Sequence, residues 1–275
     1  MIIDDTPCAL GEGPIWHPER QQFFWFDILN KRLHTVGKYW EFDEYVSAAG
    51  WVDHDTFLIA SATQLFTFDL ETEEETYVCG LESDNAVTRS NDGRADPQGG
   101  FWIGTMGFNA EEKAGAIYRY YRGELRRLFD NVTITNAICF APCGTIAYYT
   151  DTIVGKLMAT DLDADGWPTG KPRLIVDLSG EDFGIDGAVV DADGNIWNAQ
   201  WGASRVAQYA PDGTFLQAVT FPASQTSCPA FGGTDLKTLY CTSATQGMTA
   251  PAIDDGKTFA TPTTTIGQAE HRVIL

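Results

Sequence analysis

The chain has 275 residues, 44% of them hydrophobic and 12% aromatic, which is ample for a buried core and far from a disordered composition. Its 38 acidic and 18 basic residues give a formal net charge of -20, which repels phosphate backbones and anionic membranes and so disfavours a nucleic-acid or membrane partner. No apolar run reaches the roughly 18 residues that span a bilayer, and Met1-Ile2-Ile3-Asp4-Asp5 lacks the basic and apolar parts of a secretion signal, so the expected location is cytoplasmic.

Nothing in the composition divides the chain, and residues 1–275 read as one domain. Helical periodicity is scarce, while short aromatic and β-branched runs recur between Gly, Asp, Asn and Pro clusters. In chain order these runs are Phe24-Trp25-Phe26, Phe57-Leu58-Ile59, Phe101-Trp102-Ile103, Ala147-Tyr148-Tyr149, Ile196-Trp197-Asn198 and Leu239-Tyr240-Cys241. Turn signals such as His17-Pro18-Glu19-Arg20, Asp96-Pro97-Gln98-Gly99, Ala141-Pro142-Cys143-Gly144 and Asp191-Ala192-Asp193-Gly194 introduce them. The spacing runs from 33 residues (Phe24 to Phe57) to 49 (Ala147 to Ile196), centred near the roughly 40 to 50 of a four-stranded propeller blade. The expected fold is all-β, a six-bladed β-propeller, with a β-sandwich as the competitor. In a propeller the inner strands converge on a channel, so functional polar residues are expected at their ends.

Several chemistries drop out. Four histidines without His-x-His or His-Glu-x-x-His spacing make a histidine-rich zinc site improbable, and no Gly-x-Ser-x-Gly elbow is present. Gly11-Glu12-Gly13-Pro14 begins like a dinucleotide fingerprint, but Pro14 removes a donor that a phosphate cradle needs. Asp161-Leu162-Asp163-Ala164-Asp165-Gly166 starts like a calcium loop, yet its twelfth position is Pro172 rather than glutamate, so it reads as a surface connection. The six cysteines contain no Cys-x-x-Cys pair and read as reduced core residues.

Three polar residues remain where apolar strands meet tight turns: Glu12 between two glycines, Asn136 in Thr133-Ile134-Thr135-Asn136-Ala137-Ile138, and Asp186 in Gly184-Ile185-Asp186-Gly187. Singly, each has an ordinary reading as a loop residue, a buried hydrogen-bonded amide and a hairpin turn. Together with Ser90-Asn91-Asp92-Gly93-Arg94-Ala95-Asp96-Pro97, Phe101-Trp102-Ile103-Gly104-Thr105-Met106 and Phe231-Gly232-Gly233, these segments resemble the signatures of the senescence-marker-protein, gluconolactonase and regucalcin family, in the family's order. The resemblance implies a propeller with one divalent metal on its axis and hydrolysis of a small sugar lactone. It implies Glu12, Asn136 and Asp186 as metal ligands, and Arg89, Asn91 and Glu111 as substrate contacts. Ala137 departs from the family pattern, standing where many members have glycine.

Two carboxylates and an amide are hard oxygen ligands that leave coordination positions for water and substrate, which favours calcium, magnesium or manganese ahead of zinc. Such an ion polarises a lactone carbonyl, and Asp186 is the candidate general base. A metal-dependent esterase or phosphotriesterase on the same ligands, and a non-catalytic calcium-binding propeller, are the alternatives. Substrate identity, the ion and the oligomeric state stay open.

Overall fold

Each of the six aromatic runs is the second strand of a four-stranded antiparallel sheet, and alternation explains why the runs are apolar throughout. Successive side chains of a strand point to opposite faces. Phe24 and Phe26 join the core between the first and second sheets, while Trp25 points the other way into the core between the sixth and first. Trp102, Tyr148, Trp197 and Tyr240 repeat the pattern, each facing a different interface from its neighbours in the run.

A computed structural model describes residues 1–275. The first blade contains β2 (Gly11–His17), β3 (Gln22–Asp27), β4 (Arg32–Thr35) and β5 (Lys38–Glu41), which follow a short β1 (Ile2–Asp4). The second contains β6 (Val46–Trp51), β7 (Thr56–Ser61), β8 (Gln64–Asp69) and β9 (Glu75–Gly80), and the third β10 (Thr88–Ala95), β11 (Phe101–Gly107), β12 (Gly115–Tyr121) and β13 (Glu124–Val132). The fourth contains β14 (Thr135–Phe140), β15 (Ile146–Asp151), β16 (Lys156–Leu162) and β17 (Pro168–Asp177), and the fifth β18 (Gly184–Val190), β19 (Ile196–Trp201), β20 (Arg205–Tyr209) and β21 (Phe215–Thr220). The sixth combines β22 (Thr226–Gly232), β23 (Thr238–Ser243) and β24 (Thr258–Pro262) with β1, where Ile2 lies opposite Phe259. The chain's first strand thereby closes the ring. No helix is present, and the innermost strands β2, β6, β10, β14, β18 and β22 contact one another in ring order. The fold is a six-bladed β-propeller.

One hydrophobic cluster fills each of the six interfaces between blades. The largest has 16 buried residues and joins the first and second blades. The smallest has 5 (Cys8, Trp16, Phe23, Trp25 and Ala230) and lies at the ring-closing interface between the sixth and first, where Phe23 stacks on Tyr240 at 4.2 Å.

Every innermost strand breaks register near its start, between Glu12 and Ile15, Val46 and Ala48, Ser90 and Gly93, Asn136 and Cys139, Ile185 and Ala188, and Thr226 and Pro229. A bulge bends a strand and re-aims side chains. At these six bulges, side chains that regular pleating would bury between sheets turn toward the channel. The other end of the channel is closed by residues 263–275. Gln268 Nε2 donates to Phe140 O and Val190 O at 3.0 and 2.9 Å, Val273 N donates to Trp51 O, Ile274 N donates to Gly99 O, and Glu270 pairs with Arg94. The segment Asp163-Ala164-Asp165-Gly166 lies in the connection between β16 and β17, exposed at its first three residues, with Asp163 Oδ1 accepting the Asp165 and Trp167 amides.

Candidate active site

The polar residues singled out in the sequence lie inside the innermost strands, beside the bulges, rather than in the turns. Asp186-Gly187 is accordingly part of β18 and not a hairpin turn. Two glycines make the arrangement possible. Gly13 has φ +53°, and a Cβ there would stand 2.3 Å from Ser47 O; a Cβ on Gly187 would stand 2.2 Å from Cys228 Sγ. In the fourth blade the left-handed position is taken by Ala137 at φ +57°, a conformation L-residues adopt only at a cost of about 1–2 kcal/mol.

Glu12 from β2, Arg89 and Asn91 from β10, Asn136 from β14 and Asp186 from β18 meet in one pocket of about 450 Å³. All five are buried. Leu10, Met106, Phe108, Ile134 and Trp201 supply apolar wall, and Asn109, Thr152 and Gln246 supply neutral polar groups. The volume and the mix of apolar wall with a few convergent polar groups suit a small molecule.

Glu12 and Asp186 lie within hydrogen-bonding reach of each other. Burial, reinforced by the neighbouring Asp92 carboxyl, pushes Glu12 up to about 8, and burial with the Glu12 and Asp92 charges raises Asp186 well above the usual carboxylate range. Burial also lowers Arg89 to about 10, against the opposing pull of Glu12. Arg89 Nη1 donates to Ser90 O at 2.7 Å and to Asn91 Oδ1 at 2.9 Å, so Nε and Nη2 are its uncommitted donors. The pocket thus concentrates two mutually repelling carboxyls and an amide oxygen where Arg89 is the one cationic side chain in the lining. That donor set fits a hard divalent cation, which would favour the charged carboxylates and remove their repulsion.

The amide of Asn136 is held in one orientation. Its Nδ2 donates to Thr152 Oγ1 at 2.8 Å, and the Thr152 hydroxyl donates onward to Ile185 O at 2.7 Å. Oδ1 accepts only a long bond from Asn91 Nδ2 at 3.4 Å, and Asn136 lines the same pocket as the two carboxyls. Asn91 is used twice more, donating to Thr135 O at 2.9 Å and accepting from Arg89, so it braces both the amide and the guanidinium. Glu111 lies on the loop after β11 and is outside the pocket lining. Its carboxylate accepts from Asn109 N and Nδ2 at 3.0 and 2.9 Å, which holds Asn109, itself a wall residue.

Asp92 was absent from the sequence-derived site. It is buried, pushed up to about 6 by that burial, and accepts the Ile138 amide at 2.7 Å, which pins the bulge that presents Asn136. It stands in the quoted Asn91-Asp92-Gly93 segment, where a second acid beside a candidate contact was a usable signal. Thr152 and Trp201 had no such signal, because Thr152 follows and Trp201 ends the second strand of a blade, and each reaches the pocket only through sheet pairing.

Residues 10–245 match the SMP-30/Gluconolactonase/LRE-like region. The chain belongs to the SMP-30/gluconolactonase/LRE-like family. A relative from Rhizobium meliloti (strain 1021) is 44% identical over 270 residues, covering 94% of this chain and 91% of its own length. The L-arabinolactonase of Azospirillum brasilense is 33% identical and covers 98% and 94%. A crystal structure of the calcium-binding protein regucalcin from Agrobacterium tumefaciens superimposes with a TM-score of 0.97 at 40% identity, covering 100% of this chain and 97% of that one. This likeness at high identity extends the SMP-30/gluconolactonase/LRE-like assignment over the whole ring, including the strand that closes it.

Proposed function

We propose that this protein is a metal-dependent sugar lactonase that opens an aldono- or aldarolactone to the sugar acid, with residues 1–275 acting as one catalytic unit in the cytoplasm. The observation that carries this reading is the convergence of Glu12, Asn136 and Asp186, from three blades, with Arg89 and Asn91 in a single small-molecule pocket. The L-arabinolactonase name of one relative and the calcium-binding name of another support the substrate class and a resident cation. Six unpaired cysteines accord with a reducing compartment.

Glu12, Asn136 and Asp186 would hold one divalent ion, which when bound supplies Lewis-acid polarisation of the lactone carbonyl. Calcium, magnesium, manganese and zinc are the candidates, with oxygen donors favouring the first three. Asp186 accepts the proton of the attacking water at a carboxylate oxygen, and that proton then serves the ring oxygen as the acyl C–O bond breaks. Burial raises the proton affinity of this carboxyl in the cation-free protein, and the bound ion would offset part of that rise. The free Nε and Nη2 of Arg89 orient the sugar through its hydroxyls or a carboxylate. Asn91 keeps Arg89 and Asn136 in register, Glu111 holds Asn109 against the substrate, and the Trp201 and Phe108 walls cover the apolar faces of the ring and exclude bulk water.

A panel of aldonic and aldaric lactones, assayed by acid release with chelator and then with each divalent ion, tests the proposal. Hydrolysis that disappears with chelator and returns with an ion is expected. Undiminished hydrolysis in demonstrably metal-free protein removes the mechanism. Metal binding without hydrolysis of any lactone favours the calcium-binding reading, and turnover confined to activated esters or phosphotriesters favours the esterase reading.

A further inference from the structure

The ring-closing interface has the smallest apolar core of the six, and a second group of potential metal ligands lies there, well separated in chemistry from the pocket. Cys8, Asp27 and His34 are all buried, and one ligand atom of each lies within 4.8 Å of the others. Cys8 belongs to the linker from β1 to the first blade. Its backbone is held by the sixth blade, with N donating to Gly256 O and O accepting from Thr245 N and Oγ1. Asp27 ends β3 and His34 lies in β4, both in the first blade.

The fourth blade provides an internal control. Asp151 ends β15 as Asp27 ends β3, and the two carboxylates do the same structural job. Asp27 accepts the Ala9 and Leu10 amides at 3.0 and 3.1 Å, and Asp151 accepts the Thr133 and Ile134 amides at 2.8 and 3.1 Å. That correspondence aligns Cys8 with Val132. The cross-strand pairs Trp25 with His34 and Tyr149 with Met158 align His34 with Met158. In the fourth blade the same aspartate does its structural job with neither a thiol nor an imidazole beside it, so the framework these two blades share does not require Cys8 or His34.

His34 supplies an independent indication. It is 3% exposed and stacked on Trp25 with centroids 5.3 Å apart, yet its Nε2 has no hydrogen-bond partner. A buried polar atom left unpartnered costs about 1–3 kcal/mol, so Nε2 is available to a ligand. Asp27 also accepts from Asn30 Nδ2 at 2.7 Å and from Asn30 N at 3.4 Å, so to join an ion it would exchange the long Asn30 N contact for the cation. Asp4 adds a further negative charge that acts on both Cys8 and His34. A surface groove is lined by Pro7 and Ala9, the chain neighbours of Cys8, and by Asn30, which donates to Asp27.

We propose that Cys8, Asp27 and His34 form a buried binding site for a borderline-soft divalent cation of the zinc type, which cross-links the linker held by the sixth blade to the first blade and so staples the closed ring. Thiolate, imidazole and carboxylate together select zinc or cobalt over calcium or magnesium, and three protein ligands leave the fourth tetrahedral position to water. The thiol proton is released to solvent as the ion binds.

The test uses the full-length protein stripped of metal, with excess calcium present to fill the oxygen-lined pocket, and titrates cobalt. One equivalent should produce the near-ultraviolet thiolate-to-cobalt charge-transfer band, and zinc should displace it. Zinc at about 100 times its Kd should raise Tm by on the order of 5 °C. Cys8→Ser should lose both effects, while Cys143→Ser, which removes the exposed thiol, and Asp186→Asn should keep both. His34→Gln retains the thiol and should weaken cobalt binding by about 10-fold or more, which keeps the site testable if serine at buried position 8 prevents folding. No band in the parent, a band surviving Cys8→Ser, or unchanged affinity in His34→Gln overturns the site.

Discussion

The same six innermost strands build two different ends of one channel. At the bulged end Glu12, Asn91, Asn136 and Asp186 face a pocket with few fixed partners, and two acids are held against their ordinary ionisation. A few residues further along, Arg94 pairs with Glu270, Gln268 satisfies Phe140 and Val190, and the closing segment leaves only a small cavity of about 30 Å³. Both ends bury charge. The closed end neutralises it within the protein, whereas the open end holds two carboxyls with no cationic side chain between them except Arg89. Removing one member of a buried ion pair strands the other charge and destabilises the fold, whereas a buried pair of like charges marks a candidate site.

Three experiments press on that difference. The largest effect is expected at the open end. Asp186→Asn keeps the volume and one oxygen but removes the base, so kcat for lactone hydrolysis at saturating metal should fall on the order of 10² to 10⁴-fold with little change in Tm. Turnover within roughly tenfold of the parent would show Asp186 to be no more than a ligand.

At the closed end the balance should invert. Glu270→Gln leaves Arg94 buried without its main counter-charge, a loss of about 3–5 kcal/mol, and so lowers Tm by roughly 10 °C while kcat of the folded protein is retained. A fall in kcat with Tm unchanged would mean that the two ends are not separable.

The smallest effect is a pH slope. In cation-free folded protein Glu12 titrates near 8 and Asp186 well above the usual range, while in the unfolded chain both ionise near pH 4. Between about pH 4.5 and 8 the unfolded state therefore binds fewer protons, and stability falls as pH rises through that window; below it the stabilisation is complete. Tm measured with chelator at pH 5, 6.5 and 8 should drop by a few degrees. Saturating divalent ion should flatten or reverse the trend, because it favours the ionised carboxylates. A flat profile in chelator would show that the two acids are not in proton-sharing contact.

The fold and the site were legible in the sequence to different degrees. The six aromatic runs were visible because the middle of a second strand is largely buried, alternately toward one neighbouring blade and the other, which leaves a mostly apolar signature. Glu12, Asn136 and Asp186 were visible only as polar interruptions of such strands and through a family resemblance. Their actual setting at bulges, and the reorientation that a bulge brings, has no local signature beyond Gly13 and Gly187, and Ala137 hides even that. Glu111 was implied by the family resemblance alone, which does not reveal that its carboxylate turns back to Asn109.

What the sequence determined by itself was the number of repeats, the strand class, the acidic surface and a short set of candidate oxygen ligands, since these follow from local composition and period. Only the tertiary structure decided which polar groups share a space. Asp92 bonds Ile138 across 46 positions, Thr152 orients Asn136 across 16, and Cys8 meets Asp27 and His34 through the closure of the ring by β1. Those contacts depend on pairing register and on how six sheets pack around an axis, which are properties of the whole ring that no single segment of the chain encodes.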